Sequence, residues 1–274
     1  MQETLTIPEE LSGQMWRYRS SDSPLIDEHR HHELEVNLVL RGSATYLIRG
    51  RRRYRLHSGS QVWLFPAQDH LLLDRTPDFE MWIGAFRPGL VRRLGGGART
   101  ATLREADPTG YFCRRIPIGS VRSLNNLYGQ VRQHDKDAPT YNAGLSFALL
   151  ASWSAHLDSV DDNLGIDLHP AVEQATRLLR DDPDPIGLPG LAGRCGLSPS
   201  RLSRLFHEQT GVPLAEFRNQ QRLSRFFEHF GDGQHYTMLQ AAMRAGFGSY
   251  AQFYRVFHAA MHCGPAEYRR AAAH

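Results

Sequence analysis

The last third of the chain contains one sequence unit twice. Ser198–His207 and Ser249–His258 align at an offset of 51 residues, and the same offset relates Ala215–Arg218 to Ala266–Arg269. A duplication of this size implies two copies of one supersecondary structure. The unit has the pattern of two helices joined by a tight turn, the arrangement of helix-turn-helix proteins that recognise DNA.

Each copy predicts a first helix, a glycine turn and a second helix. Ala192 and Ala242 stand where the first helix would cross the second, and Gly196 and Gly246 follow them. Glycine adopts the left-handed conformation that ends a helix at little energetic cost. A serine, which is a favoured N-cap residue, then precedes each second helix. These serines are Ser198 and Ser249.

The second helix of each copy is predicted to be amphipathic, with one buried face. Arginine, hydroxyl and imidazole groups on the opposite face suit the base edges of a major groove. A single helix of this kind would be interpreted as an ordinary solvated surface, whereas two copies in register favour DNA recognition. The apolar positions are Leu202, Leu205, Phe206, Phe253, Val256 and Phe257. The polar face carries Ser200, Ser203, Arg204 and His207, then Ala251, Tyr254, Arg255 and His258.

The segment between the copies, residues 213–230, has apolar residues at roughly helical spacing. About 18 residues at a rise of 1.5 Å give a helix of roughly 27 Å. With its flanking turns, such a helix would separate the recognition helices by about one DNA pitch, roughly 34–36 Å. Both helices would then enter successive major grooves on one face of the duplex.

Three segments together form a specific signature. They are Leu191-Ala192-x3-Gly196-Leu197-Ser198, Ala245-Gly246-Phe247-Gly248-Ser249-Tyr250-x2-Phe253-x-Arg255-x-Phe257 and Gly264-Pro265-Ala266-Glu267-Tyr268-Arg269. Residues from about 169 to 271 thereby resemble the DNA-binding domain of the AraC/XylS, or arabinose-regulator, family of bacterial transcription factors. Two departures are the bulky end of the connecting segment, Arg225–Phe230, and His262-Cys263 where glycine is usual.

The resemblance assigns base reading to the two recognition helices. By position in the motif it indicates Ser200, Ser203 and Arg204, then Tyr250, Ala251, Gln252, Tyr254 and Arg255. Arg201 and His207 of the first recognition helix complete the predicted DNA-binding set. The resemblance also implies RNA polymerase as a partner and favours activation of transcription.

The N-terminal half has a different pattern, with short alternating strands separated by glycine turns from about residue 14 to 90. This pattern predicts an antiparallel β-barrel or sandwich. Helical patterns occupy about 91–160, and Asp158–Pro170 is the predicted linker. The predicted fold is therefore α+β and multidomain, with a β-barrel domain over 1–165 and an all-α domain over 166–274.

One group of residues in the β domain has metal-ligand chemistry. His29, His31 and Glu35 share strand parity with Asn37, so their side chains should point to one face. His70 follows Pro66 later in the chain. The string His29-x-His31-x3-Glu35-x6-Gly42 with Gly59-x6-Pro66-x3-His70 resembles the cupin metal motif, although the second half lacks its usual glycine.

That resemblance implies two open interpretations. Three imidazoles and a carboxylate would hold a divalent Zn, Ni, Fe or Mn ion. Alternatively, the residues line an effector pocket without metal, as cupin-like sensors of arabinose-type regulators commonly do. His29, His31, Glu35, Asn37 and His70 are the predicted pocket in either case.

The composition further restricts the class of protein and the compartment in which it would act. The three cysteines are scattered, which predicts a reducing compartment without disulfides or a zinc finger. We expect a cytoplasmic protein, because the chain begins without a signal-peptide pattern and contains no apolar run near 18 residues. The net charge of +3 is small for a DNA-binding protein, so local arrangement of charge must supply the interface.

The leading hypothesis is a non-enzymatic transcription regulator that binds promoter DNA and responds to a small-molecule effector or a metal. The alternatives are a metal-dependent cupin enzyme fused to a DNA-binding domain, and a regulator with a vestigial sensor. A homodimer is also predicted, since the resemblance implies that helices of the N-terminal half dimerise. The proposed dimer stripe is Val121, Leu124, Leu127 and Val131.

Overall fold

The computed structural model describes residues 4–21, 28–159, 165–181, 186–231 and 236–272. The chain divides into an N-terminal unit, which ends at Asp167, and a C-terminal unit, which begins at Leu168. Within the predicted linker, residues 160–164 lie outside the described residues. The next three residues, Gly165–Asp167, pair with a strand of the N-terminal unit and therefore belong to it.

Two antiparallel sheets form the N-terminal unit, so the predicted antiparallel β domain is confirmed. The strands are β1 (Gly13–Arg19), β2 (Leu34–Arg41), β3 (Ser43–Ile48), β4 (Arg52–His57), β5 (Ser60–Leu64), β6 (His70–Leu73), β7 (Glu80–Phe86), β8 (Cys113–Arg115) and β9 (Gly165–Asp167). One sheet has the order β1-β7-β2-β5-β8 and the other the order β6-β3-β4-β9. Side chains of the two sheets meet between them, but the described strands do not close into one continuous barrel.

Strand β2 is buried on both faces, which explains its unusual mixture of residues. Its even-numbered side chains, such as Val36 and Leu38, join the apolar core beside the helices. Glu35 and Asn37 point the other way and meet side chains of the opposite sheet. One strand thus contributes both to the hydrophobic core and to a buried polar cluster.

Three helices cover the outer face of the five-stranded sheet: α1 (Pro88–Leu94), α2 (Ile118–Gln133) and α3 (Ala138–Leu157). The sequence predicted that an apolar stripe on α2 forms a dimer surface, and the structure corrects this prediction. Val121, Leu124 and Val131 are buried in the unit's own core, and Leu127 packs against it. These residues cover the sheet and are not available as a dimer surface.

The C-terminal unit is helical in its described residues. Its helices are α4 (Pro170–Asp181), α5 (Leu188–Arg194), α6 (Pro199–Thr210), α7 (Leu214–Phe230), α8 (Met238–Arg244), α9 (Tyr250–Met261) and α10 (Pro265–Ala272). The pairs α5–α6 and α8–α9 are the two copies of the repeat, and α7 connects them. None of the helices in the described ranges combines the length and apolar character required to cross a membrane.

The bulky end of α7 forms the core of the second subdomain. The Phe226 ring lies 4.6 Å from that of Phe253 and 5.7 Å from that of Phe257, measured between centroids. Phe230 stacks on Phe226 at 5.4 Å. The aromatic residues that depart from the family pattern therefore fill this core and fix α9 on the connecting helix.

The second departure, at His262, places a side chain where glycine is favoured. His262 ends α9 with a φ of 55°, and Gly211 ends α6 in the same left-handed region with a φ of 78°. A side chain in this region is sterically disfavoured. We expect His262→Gly to raise the free energy of unfolding of the C-terminal unit by about 0.5–1 kcal/mol.

Urea denaturation followed by circular dichroism at 222 nm would measure this change. Gly211→Ala is the matched control and should lower stability, because it introduces the strain that His262 carries. A loss of stability in His262→Gly would show that the imidazole makes a favourable contact that outweighs the strain.

Candidate functional site

The two turns that precede the recognition helices have the predicted geometry. Gly196 and Gly246 have φ values of 70° and 89°. The Ser198 side chain accepts a hydrogen bond from the backbone N–H of Arg201, and the Ser249 side chain accepts one from that of Gln252. Short-range capping therefore fixes where α6 and α9 begin.

The predicted buried face of each recognition helix is confirmed. Leu202 and Phe206 of α6 are fully buried, as are Phe253 and Phe257 of α9. Leu205 and Val256, at equivalent positions, are half-buried. The burial leaves one defined face of each helix toward solvent.

The predicted DNA-binding residues lie mostly on that exposed face. Exposed side chains on α6 are Ser200, Arg201, Arg204 and His207, and those on α9 are Tyr250, Ala251, Tyr254 and Arg255. Ser203 and Gln252 are half-buried. The Gln252 Oε1 atom accepts a hydrogen bond from the backbone N–H of Gly248 at 3.0 Å, so this side chain also stabilises the turn.

Intramolecular interactions of the exposed groups are weak. Arg204 lies 3.7 Å from Glu208, and both side chains are exposed. Exposed ion pairs contribute little in water, so the guanidinium is free to exchange this partner for a base or phosphate. Tyr254 stacks on His258 with ring centroids 5.9 Å apart, which orders two side chains on the same face of α9.

The arginines of α7 have a different role, which sequence reasoning missed. The Arg218 guanidinium donates to the backbone carbonyl of Ile186, just before α5. Arg225 donates to the carbonyls of Leu179 and Arg180 at the end of α4. These two arginines therefore bind backbone carbonyls within the C-terminal unit. They stabilise the fold, whereas the arginines of the recognition helices are exposed.

A second candidate site lies between the sheets of the N-terminal unit. We call it the intersheet cluster, and it comprises His29, His31, Glu35, Asn37, Tyr46 and His70. One imidazole nitrogen from each of the three histidines lies within 4.8 Å of the corresponding nitrogens of the other two. The backbones of His29 and His70 are joined by two hydrogen bonds, of 3.1 and 2.8 Å, which bring the histidines together.

Within the cluster, His31 and Glu35 form a buried ion pair. The Nε2 atom of His31 lies 2.9 Å from Glu35 Oε2, and Nδ1 lies 3.1 Å from the backbone oxygen of Glu33. Both partners only accept hydrogen bonds, so both ring nitrogens of His31 carry protons. Burial by itself would lower the pKa of His31, but the hydrogen bond and charge of Glu35 outweigh it and raise that pKa.

The ion pair with His31 also shifts the pKa of the Glu35 carboxyl group. Burial alone would raise the pKa of Glu35, yet the hydrogen bond and charge of His31 lower it to about 2. Glu35 is therefore ionised at neutral pH. Its other oxygen, Oε1, accepts a hydrogen bond of 2.7 Å from the Asn37 amide.

The His70 ring, in contrast to that of His31, has a lowered pKa. Burial lowers the pKa of His70 to about 4, so its ring is neutral at pH 7. Its Nδ1 atom lies 3.0 Å from the backbone oxygen of Gln68, while Nε2 is buried without a partner among the described residues. An unpaired buried acceptor costs about 1–3 kcal/mol, which makes this atom a candidate ligand contact.

The intersheet cluster fits the predicted metal-ligand set only in part. Three imidazole donors lie close enough to share one ion, and their chemistry suits Zn, Ni, Fe or Mn. Glu35 is not one of that group and instead accepts a hydrogen bond from His31. An ion bound to His31 Nε2 would have to displace the proton that joins His31 to Glu35.

Two features of this site were not found from the sequence. Tyr46 on β3 accepts a hydrogen bond from Asn37 at 3.1 Å, a contact between strands of different sheets. Arg41 shares the odd parity of Glu35 but is exposed. A β-bulge between Val39 and Arg41 interrupts the alternation that the prediction assumed.

Comparison with known families assigns both parts of the chain. Residues 191–271 match the model of a helix-turn-helix domain, and residues 13–119 match that of an AraC-like ligand binding domain. Among characterised proteins, the Arabinose operon regulatory protein of Escherichia coli (strain K12) is 24% identical over 242 residues. The alignment covers 85% of this chain and 79% of that protein.

Similar solved structures include ToxT from Vibrio cholerae O395 and the AraC-like transcriptional activator CuxR. ToxT has 16% sequence identity and a TM-score of 0.33, with 94% of this chain and 97% of that chain covered. CuxR has 14% identity and a TM-score of 0.33, with coverage of 81% and 74%.

Proposed function

Because this chain belongs to the AraC/XylS family of transcription regulators, we propose that α6 and α9 read two successive major-groove segments of promoter DNA. The observation that supports this proposal is the repetition of one exposed face on two helices. Both helices have a serine cap, a left-handed glycine turn before them and two fully buried anchors. The contacts to bases would come from the exposed arginine, tyrosine and hydroxyl groups.

The sensing step is assigned to the intersheet cluster. Its buried acceptors, Asn37 Oδ1 and His70 Nε2, offer contacts to an effector that enters between the sheets. We assign the N-terminal unit a sensing role and not a catalytic one, since its relatives are regulators. An effector changes DNA binding only through unequal affinity for the two functional states.

A divalent metal is the second candidate occupant of the cluster. The close approach of His29, His31 and His70 favours it. Metal binding to these imidazoles requires their neutral form, so protons would be released on binding. Retention of Zn, Ni, Fe or Mn by natively purified protein, measured by elemental analysis, would support this occupant.

The proposed cellular setting follows from the family. The protein would act in the cytoplasm, where promoter DNA and RNA polymerase are present, and would activate transcription by recruiting the polymerase. Transcription from a selected promoter by purified polymerase, with and without the protein, would distinguish activation from repression. A decrease in transcript on addition of the protein would overturn the activator assignment.

The two-segment model of DNA binding makes a prediction about spacing. After the operator is identified by selection from random DNA, insertion of 5 base pairs between its two segments should lower affinity by at least tenfold. The insertion rotates one segment by about half a turn, away from the second recognition helix. Gel-shift titration at fixed salt would measure the change.

Insertion of 5 base pairs outside the two segments is the control for DNA length and should leave the affinity unchanged, since it keeps the spacing between the segments. Equal affinity for the original operator and the operator with the insertion between its segments would contradict simultaneous binding by α6 and α9.

We propose a homodimer formed through the outer face of α3 instead of the α2 stripe. Phe147 is 63% exposed and Leu150 is 37% exposed, and the two are three residues apart on one helical face. Phe147→Glu should convert the protein to a monomer, because the carboxylate would be buried in an apolar contact. Sedimentation velocity at micromolar concentration would measure it.

Arg122→Glu on α2 is a control, since that exposed residue lies outside the α3 stripe. A wild-type protein that sediments as a monomer over the whole concentration range would contradict the dimer. A dimer unaffected by Phe147→Glu would place the interface elsewhere.

A further inference from the structure

One difference between the two helix-turn-helix copies lies in the last turns of the recognition helix. At the offset of 51 residues, Glu208 and Gln209 of α6 correspond to Ala259 and Ala260 of α9. Two long polar side chains of the first copy are therefore replaced by methyl groups in the second. The shorter side chains leave space beside α9 at the place where α6 carries the long ones.

In the first copy both long side chains contact neighbouring groups. Glu208 lies 3.7 Å from Arg204. Gln209 Oε1 accepts a hydrogen bond of 2.8 Å from the backbone N–H of His169, which precedes α4. A methyl group has no polar atom with which to make such contacts. The second copy has therefore lost the side chains that make these contacts in the first.

A cavity of about 430 Å³ lies beside these alanines, between α7 and α9. This volume falls within the range of small-molecule sites, roughly 300–1,000 Å³, which combine an apolar lining with a few polar groups. The whole cavity belongs to the C-terminal unit. Its apolar lining consists of Leu223, Val256, Ala259 and Ala260.

Two side chains of opposite charge line the cavity from different helices. Glu216 lies on α7 and Arg255 lies on α9. Both are exposed, and neither has an ion pair within the part of the chain that the structure describes. Arg204, the equivalent of Arg255 in the first copy, has Glu208 one turn away. The second copy thus offers one unpaired cation and one unpaired anion beside an apolar surface.

We propose that this cavity binds a small zwitterion with an apolar side chain, namely an amino acid or a short peptide. The ligand carboxylate pairs with the Arg255 guanidinium, whose planar fork matches a carboxylate. The ligand ammonium pairs with Glu216, and the apolar side chain covers Leu223 and Val256. A ligand with a single charge satisfies only one of the two charged walls, so it binds more weakly.

The ligand and operator DNA compete for Arg255. This consequence rests on the proposed function, in which α9 reads one of the two operator segments. Only one recognition helix is affected, so saturating ligand lowers operator affinity by no more than Arg255→Ala does, about 5- to 150-fold. The site gives the DNA-binding unit a ligand response of its own.

Nuclear magnetic resonance of the full-length protein, labelled with ¹³C at the alanine methyl groups, would report binding at the cavity itself. The zwitterionic probes are L-phenylalanine and the dipeptide L-leucyl-L-phenylalanine. Both should shift the Ala259 and Ala260 signals in a saturable manner, and the tighter one distinguishes a free amino acid from a peptide. L-Phenylalaninamide lacks the carboxylate and N-acetyl-L-phenylalanine lacks the ammonium. Each should bind about fivefold more weakly than L-phenylalanine, which corresponds to the loss of one exposed ion pair.

Variants test the location of the bound ligand. Ala259→Glu combined with Ala260→Gln restores the side chains of the first copy and should abolish binding by filling the cavity. Glu216→Gln should weaken zwitterion binding about fivefold without weakening that of the N-acetyl probe. Glu228→Gln, at an exposed position of α7 outside the cavity, is the matched control. If the double variant does not fold, the alanine signals and the Glu216→Gln titration still decide the result.

Fluorescence anisotropy with the selected operator tests the competition. Saturating L-phenylalanine should weaken operator binding by the wild-type protein but not by Arg255→Ala. Alanine signals that do not shift with any probe would overturn the inference, as would equal affinity for zwitterionic and single-charge probes or unchanged binding in the double variant. Shifted alanine signals with unchanged operator affinity would support the ligand site and contradict the proposed role of Arg255 in DNA binding.

Discussion

Replacing Arg204 or Arg255 with alanine is expected to weaken operator binding by about 5- to 150-fold for each substitution, equivalent to roughly 1–3 kcal/mol. Both guanidinium groups lie on the exposed faces of the recognition helices. The only ion pair described for Arg204 is exposed and 3.7 Å long, so little intramolecular interaction competes with DNA. Fluorescence anisotropy with the selected operator would measure the dissociation constants.

The salt dependence of binding identifies the kind of contact. Loss of a base contact should reduce the preference for the operator over random DNA, whereas loss of a phosphate contact should weaken both equally and flatten the salt dependence. Arg177→Ala, an exposed arginine on α4, is the matched control for removal of one positive charge. Wild-type affinity in both Arg204→Ala and Arg255→Ala would mean that these helices do not read the operator.

The N-terminal unit is expected to lose stability steeply as pH falls from about 6.5 toward 4. Burial lowers the pKa of His70 to about 4 and that of His156 to about 3, from an ordinary value of 6.5. In this pH range the two imidazoles bind protons in the unfolded chain but stay neutral in the folded protein. Each group therefore removes about 1.4 kcal/mol of unfolding free energy per pH unit.

The other titrating groups of the unit act in different pH ranges. Glu35, with a pKa of about 2, adds a further loss only below its ordinary value of 4.5. His31 has a raised pKa, so its stabilising contribution is complete below 6.5 and declines only as pH rises through its folded pKa. The two buried neutral histidines thus dominate the loss between pH 6.5 and 4.5.

Tryptophan fluorescence reports on this unit in the full-length protein, because all four tryptophans, Trp16, Trp63, Trp82 and Trp153, belong to it. Urea midpoints should be measured from pH 7 to 4. His156→Phe should remove about 1.4 kcal/mol per pH unit from the slope, since the aromatic stack on Trp153 is retained without the proton site.

His57→Phe is the control at an exposed histidine of the same unit. A pH slope in His156→Phe equal to that of the wild-type protein would show that His156 is not a buried neutral group. A wild-type midpoint that does not change between pH 6.5 and 4.5 would contradict the expectation for both histidines.

The DNA-binding half was determined largely by the sequence itself. Gly196, Gly246, Ser198 and Ser249 act on the residues within one helical turn of them, and the structure places each as predicted. Helical periodicity likewise identified the buried anchors of α6 and α9, because position around a helix follows from spacing alone. The sequence repeat then identified the helix pairs α5–α6 and α8–α9 as two copies of one structure.

Only the tertiary structure decided the interior of the N-terminal half. Strand parity grouped Glu35 with Asn37, and the cupin-like motif added His70, but only the structure shows that Tyr46 reaches them from the opposite sheet. The short strands β8 and β9, outside the predicted strand region, were missed, since their pairing partners lie far away in sequence. The apolar stripe of α2 has the same spacing whether it covers a sheet or a second subunit. Periodicity identifies a face, whereas the partner of that face depends on contacts between distant parts of the chain.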